Sequence, residues 1–332
     1  MSKVTPKKVF EHRGTLVLFV IYILGFFVIA SSMALHQPMV DTPPLLANPP
    51  DEHARFLVPQ YICEHGTLPT GYEEELRIPS YGFSYGIYNV FPYIIQGTVM
   101  RLVSLFTDSP LLLLYAARGV NVCCGTLMAV LVFFLSRRLF TDRRFAWLFC
   151  FGVMFLPESL FLHTYVNTDS MSLLSITMIF YALTAAHTEG FRTKNILWLS
   201  GGIALCALSY YNAYGWILIS VLLFPVYFLD RENGSYRFRW KEMLQKGGMV
   251  SLLVIVGCGW WFLRSYLIHD GDLLGLATRE QMTVQYGISD LNPMNLVTFR
   301  DRGYSIWEML REKNFFESVF NSFIAVFGSL TI

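Results

Sequence analysis

The chain is poor in charge: only 15% of its 332 residues are Asp, Glu, Lys or Arg, whereas soluble globular proteins carry about 25%. Its net charge of +1 gives no general attraction to nucleic acid, so no nucleic-acid partner is expected. The six cysteines make no disulfide framework. Cys123, Cys124, Cys150, Cys206 and Cys258 fall in apolar runs, which leaves Cys63 alone in a predicted external loop. No Cys/His spacing suits zinc, and neither a P-loop nor a Rossmann fingerprint is present. No segment of about 20–50 residues repeats, which weighs against the internal symmetry of many transporters.

What the chain has in quantity is apolar sequence, 54% of its residues. Apolar runs lie at about 15–35, 110–135, 145–164, 171–187, 196–210, 214–229 and 247–268, and another begins near 318 and is cut off at Ile332. These lengths approach the ~20 residues that a helix needs to cross a bilayer. The first run follows Lys3, Lys7, Lys8 and Arg13, but it is too long for a signal h-region and reads as an uncleaved first helix. The segments 1–14, 136–144, 188–195 and 230–246 hold most of the 25 Lys and Arg. Placing all four on the cytoplasmic side puts the N-terminus inside and each intervening run across the membrane once.

The expected fold is therefore an all-α integral membrane bundle of about seven complete transmembrane helices in the cell membrane. Residues 1–268 form the transmembrane module, with 36–109 as a first external loop. Residues 269–317 make a second external loop, and 318–332 begin a further, truncated transmembrane helix. In the first loop Gly86–Phe106 has both ends outside, contains Pro92 and is interrupted by Gln96 and Arg101, so it is expected to lie along the interface; the alternative, a true span, would place the Arg137–Arg144 cluster outside. The short runs 196–210 and 214–229 read as a hairpin turning at Tyr210-Tyr211-Asn212.

Three polar clusters fall at the predicted external helix ends. The first is Pro49-Pro50-Asp51-Glu52-His53, where acids after prolines suit a helix start and carboxylates at the lip of the bilayer suit proton abstraction or a divalent cation. The second runs from Glu158 and His163 to Asn167-Thr168-Asp169; Asp169 reads equally as a cap of the next helix. The third is Arg264 with Asp270-Gly271-Asp272. An arginine there clamps a phosphate or snorkels, and the second feature reads as a weak metal motif or a turn around Gly271. Arg118, at the start of the second span, raises the same question as Arg264.

Taken in order, these motifs resemble the GT-C superfamily of membrane glycosyltransferases, among them protein O-mannosyltransferases, aminoarabinose transferases and related uncharacterised bacterial membrane proteins. The likeness covers most of the chain. It is carried by Pro50-Asp51-Glu52-His53, the basic turn Arg137-Arg138-Leu139-Phe140 with Asp142-Arg143-Arg144, Asn167-Thr168-Asp169, and the stretch from Trp261 to Asp272. The resemblance implies Asp51, or else Glu52, as general base activating an acceptor hydroxyl against a polyprenyl-phosphate sugar. Arg264, with Arg118 or His163, would meet the donor phosphate, and His53, Asn167, Asp169 and Tyr211 would line the substrate. The implied partners are a polyprenyl-phosphate-linked sugar donor, a glycan, lipid or protein acceptor, and the lipid bilayer; no particular cofactor is implied, and a divalent cation is compatible. Two departures stand out. Where some relatives have a lysine between the fifth and sixth spans, this chain has Tyr210-Tyr211-Asn212-Ala213-Tyr214, and it stops inside the apolar run Phe315–Ile332 where relatives continue. A polytopic transporter or lipid flippase, or a non-catalytic scaffold, is the competing reading.

Overall fold

The computed structural model describes residues 13–37, 49, 51–232, 235–288, 297–312, 315–317 and 319–320. The basic residues Lys3, Lys7 and Lys8, Pro50 of the acidic motif, and the apolar run 318–332 apart from 319–320 lie outside the described residues.

Helix dominates. Helix α1 (Arg13–His36) is followed by α2 (Glu52–His65) and α3 (Phe91–Ser104) in the first loop. Next come α4 (Pro110–Leu139), α5 (Arg143–Met154), α6 (Pro157–Leu162), α7 (Asp169–Glu189), α8 (Thr193–Ser209) and α9 (Tyr214–Leu223). A β-hairpin, β1 (Leu229–Glu232) with β2 (Ser235–Phe238), precedes α10 (Trp240–Ile268), α11 (Leu276–Tyr286) and α12 (Ile306–Glu312). Five described segments are long and apolar enough to cross a membrane: α1, α4, α7, Tyr211–Phe228 around α9, and α10. The other two expected spans are less regular. The run 145–164 is broken at Leu156-Pro157, because proline cannot continue a helix and restricts the residue before it. The run 196–210 sits in the 17-residue α8.

Burial explains the arrangement. Leu16, Val17, Ile21, Leu24 and Val28 of α1 and Leu252, Ile255, Val256 and Leu263 of α10 are exposed. In water such apolar surface would demand a partner; in a bilayer it faces lipid. The opposite face of α1 places Tyr22, Phe26 and Ala30 against Val132 and Phe133 of α4 and Met154 of α5. Helices α7 and α8 pack through Ala182, Ala186 and Ile203, with Gly202 against Ile179, the small-residue contact that lets membrane helices approach closely.

Helix α3 has 14 residues, fewer than a crossing needs. It buries Tyr93, Gln96, Gly97 and Met100 and leaves Leu102 exposed, as are Leu105 and Phe106 just past its end. A Cβ on Gly97 would lie 2.8 Å from the Pro59 carbonyl oxygen, so only glycine permits this contact with α2. The expected turn at Tyr210-Tyr211-Asn212 is present as a 3₁₀ turn over Tyr211–Ala213. The β-hairpin departs from the all-α expectation. Its register pairs Glu232 with Ser235 across the sequence Asn233-Gly234, a strong two-residue hairpin signal that the reading by hydropathy passed over.

Candidate functional site

The polar clusters gather at one end of the bundle. There the C-terminal end of α1 meets the N-terminal end of α4, with the Tyr115 hydroxyl donating to Leu35 O at 2.9 Å. Arg55 of α2 faces Asp169 at the N-terminus of α7, 3.7 Å away. Arg264, near the end of α10, donates to Pro69 O at 2.8 Å. The opposite end holds the Arg138–Glu189 pair.

Asp51 and Glu52 are neighbours with opposite surroundings. The Glu52 carboxylate is 2% exposed and receives Arg118 in a two-pronged pair, Nε to Oε1 at 2.8 Å and Nη2 to Oε2 at 2.6 Å. It also accepts the Val166 N–H. Arg118, fully buried, donates its Nη1 to Ala34 O and Gln37 O. This pair ties α1, α2, α4 and the turn before α7 together, and it leaves neither partner facing an open space. Glu52 as a base and Arg118 as a phosphate ligand are therefore corrected: both are bound to each other inside the bundle.

Asp51 is exposed and adopts φ 57°, in the left-handed region that Asp and Asn tolerate better than most residues. Its carboxylate accepts the Tyr85 hydroxyl at 3.0 Å and the Tyr81 hydroxyl at 3.4 Å. Burial and the Asp51 charge push the Tyr85 phenol up, so Tyr85 stays a donor to Asp51. The Tyr85 ring also covers Arg55, whose guanidinium carbon lies 5.1 Å from the ring centroid and 5.6 Å from that of Tyr210.

Arg55 forms the floor of a narrow cavity of about 10 Å³, room for roughly one water, lined by Tyr85, Tyr88, Asn89, Tyr93, Thr168, Ser209, Tyr210 and Tyr211. Arg55 Nη1 donates to the Thr168 hydroxyl at 3.2 Å. Asn89 is fixed by donating to Ala207 O and to the Tyr214 hydroxyl. Beneath lies a buried amide network. Gln96 donates to Asn121 Oδ1 and Asn167 O, and Asn121 donates to the carbonyls of Tyr165 and Asn167. The Asn121 and Asn167 amides are partnered through both oxygen and nitrogen, as groups this deep require, whereas Gln96 Oε1 has no hydrogen-bond partner among the described residues.

Of the other expected residues, Tyr211 lines the cavity, and Asp169 reaches it through Arg55. Asn167 does not: its side chain accepts the Ser170 N–H and donates to Leu162 O, closing the turn before α7. His163 is fully buried beside Phe26 and Ser170, out of reach of a donor phosphate. His53 is exposed and is not part of the lining. Arg264 is held on the carbonyls of Leu68 and Pro69 and over the Trp261 ring, where it fastens the first loop to α10 rather than lining the cavity. Asp272 accepts the Leu274 N–H and both the N–H and hydroxyl of Thr278, a cap for α11 in place of a metal ligand. Among the described residues no cluster of three His, Cys, Asp or Glu side chains suits a metal ion.

Comparison with known families decides membership. A model of predicted membrane proteins, DUF2142, matches residues 52–291. The chain belongs to the DUF2142 family. That segment holds α2 through α11, with Arg55, Asp169 and the tyrosines of the cavity, so the cavity lies within the family's own region and Asp51 stands one residue before it. No curated protein and no solved structure matches the chain.

Arg55, Tyr85, Tyr88, Tyr93 and Tyr210 were not singled out from sequence as site residues. The signal was present: Arg55 lies four residues after Asp51, so both occupy one face of the helix start. Tyr81, Tyr85 and Tyr88 recur within eight residues of a loop otherwise short of apolar periodicity.

Proposed function

We propose that this DUF2142 protein is a glycosyltransferase of the GT-C type, with seven membrane-crossing segments, moving a sugar from a polyprenyl phosphate to an acceptor hydroxyl on the external face. The five long apolar helices, together with α8 and the broken α5–α6 segment, supply the crossings. The bias of basic residues toward 136–144, 188–195 and 230–246 puts the Asp51 end outside.

The observation that carries this reading is the pairing of an exposed Asp51 carboxylate with an arginine-floored, tyrosine-walled cavity, bridged by Tyr85. A carboxylate beside bound acceptor takes the hydroxyl proton as the oxygen attacks the anomeric carbon. The bond from that carbon to the phosphate oxygen breaks, and the lipid phosphate departs with the electron pair. Arg55 is the cation in position to meet the new charge, and Asp169 and Thr168 hold it there. Phenol rings suit the faces of a pyranose, and these rings would have to part to admit one, since the space between them is about 10 Å³.

The test uses the full chain in proteoliposomes with a series of polyprenyl-phosphate monosaccharides and a membrane glycan and protein fraction as acceptor. Release of polyprenyl phosphate is the readout. Asp51→Asn is expected to slow release by about 10²–10⁴-fold. Release at the wild-type rate from that variant would remove the assignment.

A further inference from the structure

A crevice opens in the half of the bundle away from Asp51, where α8 and α10 begin and α9 ends. Pro225 has no N–H to continue α9, and the chain tightens there into a 3₁₀ turn, Phe224–Phe228. Helix α10 packs on that turn and along α8, where a Cβ on Gly257 would lie 3.0 Å from the Ala204 methyl. It has little direct contact with α9 itself, and the gap left between them is the crevice. Its volume is about 130 Å³, far larger than the space beside Arg55. Leu199, Ile203, Phe224 and Val250 make its apolar wall, and the small Gly247 and Ser251, one turn apart on α10, leave its width. The Ser220 hydroxyl in the lining donates to Ile217 O, so it is already partnered.

Both flanking segments are long and apolar enough to cross a membrane, and their neighbouring residues Leu218, Val221 and Leu222 of α9 and Leu252 and Ile255 of α10 are exposed. In a bilayer such a surface faces lipid, so the crevice opens to hydrocarbon. A helix about 10–12 Å across does not enter it, because the Phe224 ring already stands 3.4 Å from where a Gly247 Cβ would be. A single acyl chain does. Lys246 lies four residues before Val250, on the same face of α10 and one turn nearer the helix start. It is half-buried, and no ion pair involving it occurs among the described residues. Glu242, a further turn back, is held by Arg239, which also holds Asp230. Helical side chains lean toward the helix start, here the direction from mid-membrane to surface, in which a lipid's headgroup lies from its tail.

We propose that the crevice is a binding site for an anionic phospholipid, with one acyl chain between α8, α9 and α10 and the headgroup phosphate on Lys246. The bound chain supplies the packing that α9 and α10 do not give each other. Arg237 and Lys241, exposed just before and at the start of α10, add a diffuse attraction to an anionic surface, whereas Lys246 is the cation on the crevice face. The site stands apart from Asp51 and does not depend on the glycosyltransferase reading.

Native mass spectrometry of the delipidated full chain, titrated with dioleoyl phosphatidylglycerol or dioleoyl phosphatidylcholine, tests it. Wild-type protein is expected to hold its first phosphatidylglycerol about tenfold more tightly than its first phosphatidylcholine, whose choline offsets the phosphate charge. Lys246→Gln should bring that ratio toward one, Lys246→Arg should keep it, and Lys241→Gln should leave it unchanged. Ser251→Phe fills the crevice from its exposed rim and should weaken the first binding of both lipids. Glycerol phosphate, a headgroup without a tail, should displace neither. The wild-type comparison needs no variant, so misfolding cannot obscure it. Equal affinity of the wild type for the two lipids, an unchanged ratio in Lys246→Gln, or an equal loss in Lys241→Gln would each overturn the proposal. So would full lipid binding by Ser251→Phe, displacement by glycerol phosphate, or a dimer that forms in place of the lipid complex.

Discussion

Asp51 and Glu52 are adjacent acids at one helix start, yet they belong to different regions of the molecule. Around Glu52 the ion pair itself is fully answered: Arg118, Val166 N–H, Ala34 O and Gln37 O form a closed set with no exposed member of the pair. Around Asp51 the backbone is in a left-handed conformation, the carboxylate is exposed, and its two partners are phenols that also wall a cavity. The first region joins elements distant in sequence. The second holds groups in reserve for something else. Chemistry at this end of the protein therefore has to be sought one residue before the better-packed acid.

The sharpest test of that contrast is Glu52→Gln. It leaves Arg118 as a buried charge facing a neutral amide, and breaking such a pair costs about 3–5 kcal/mol. The thermal midpoint of the detergent-solubilised protein should fall strongly. Replacing both partners, Glu52→Leu with Arg118→Met, should recover most of the loss. Recovery should be incomplete, since Ala34 O, Gln37 O and Val166 N–H then lose their partners. If the single variant melts with the wild type, the pair is not what joins these helices.

The next effect in size concerns the seat of α11. Gly82 has φ +76°, and a Cβ there would lie 2.4 Å from the Gly287 backbone nitrogen. Gly82→Ala therefore combines left-handed strain with a backbone collision, together about 1–3 kcal/mol. The expected outcome is faster hydrogen exchange over 276–286 with little change in α4 and α7. Uniform acceleration across the bundle would mean that the second loop and the membrane helices are one cooperative unit.

How much of this was legible beforehand follows from the physics of each feature. Crossing helices announce themselves by length and apolarity, which is why α1, α4, α7 and α10 coincide with the apolar runs. The position of Arg118 was legible but its role was not. A lone arginine near a span's external end looks like a phosphate ligand until Glu52 is found 66 residues away in sequence and 2.6 Å away in space. Pairing across that separation depends on helix rotation, which hydropathy does not fix. Asp272 misled in the reverse direction, since capping and metal binding ask for the same residue type. The cavity walls were hidden because tyrosine is an ordinary membrane-interface residue, and only convergence of 85, 88, 93, 210 and 211 distinguishes them.

A smaller effect should appear with pH where the two loops meet. His269 hydrogen-bonds with the Tyr72 hydroxyl. Burial, with Arg264 adding to it and Asp272, Asp270 and Glu73 opposing, depresses the imidazole pKa below its ordinary 6.5. The folded state therefore binds fewer protons than the unfolded one as pH drops from about 6.5, and the stabilisation from neutral His269 is lost in that range. Glu73 acts the same way lower down. Burial disfavours its charge, but hydrogen bonds from the Thr70 N–H and hydroxyl and the Gly71 N–H outweigh that and hold its carboxyl below the usual 4.5. Both groups are partly solvated, so the shift in midpoint is modest. Exchange over 66–76 and 269–286 should rise in two steps on acidification, and His269→Gln should remove the first.

The smallest expected effect completes the comparison. Asp51→Asn keeps a side chain that tolerates φ 57° and still offers one carbonyl oxygen to the Tyr85 hydroxyl. No buried charge is left unpaired, because the carboxylate it replaces is exposed. The change in stability should stay within about 0.5 kcal/mol, as for ordinary surface substitutions. Set beside Glu52→Gln, two acid-to-amide changes one residue apart should differ several-fold in their effect on the melting midpoint and in the opposite sense in their effect on transfer. A large loss of stability in Asp51→Asn would show that its phenol contacts hold the loop together, and the division between a structural acid and a chemical one would fail there.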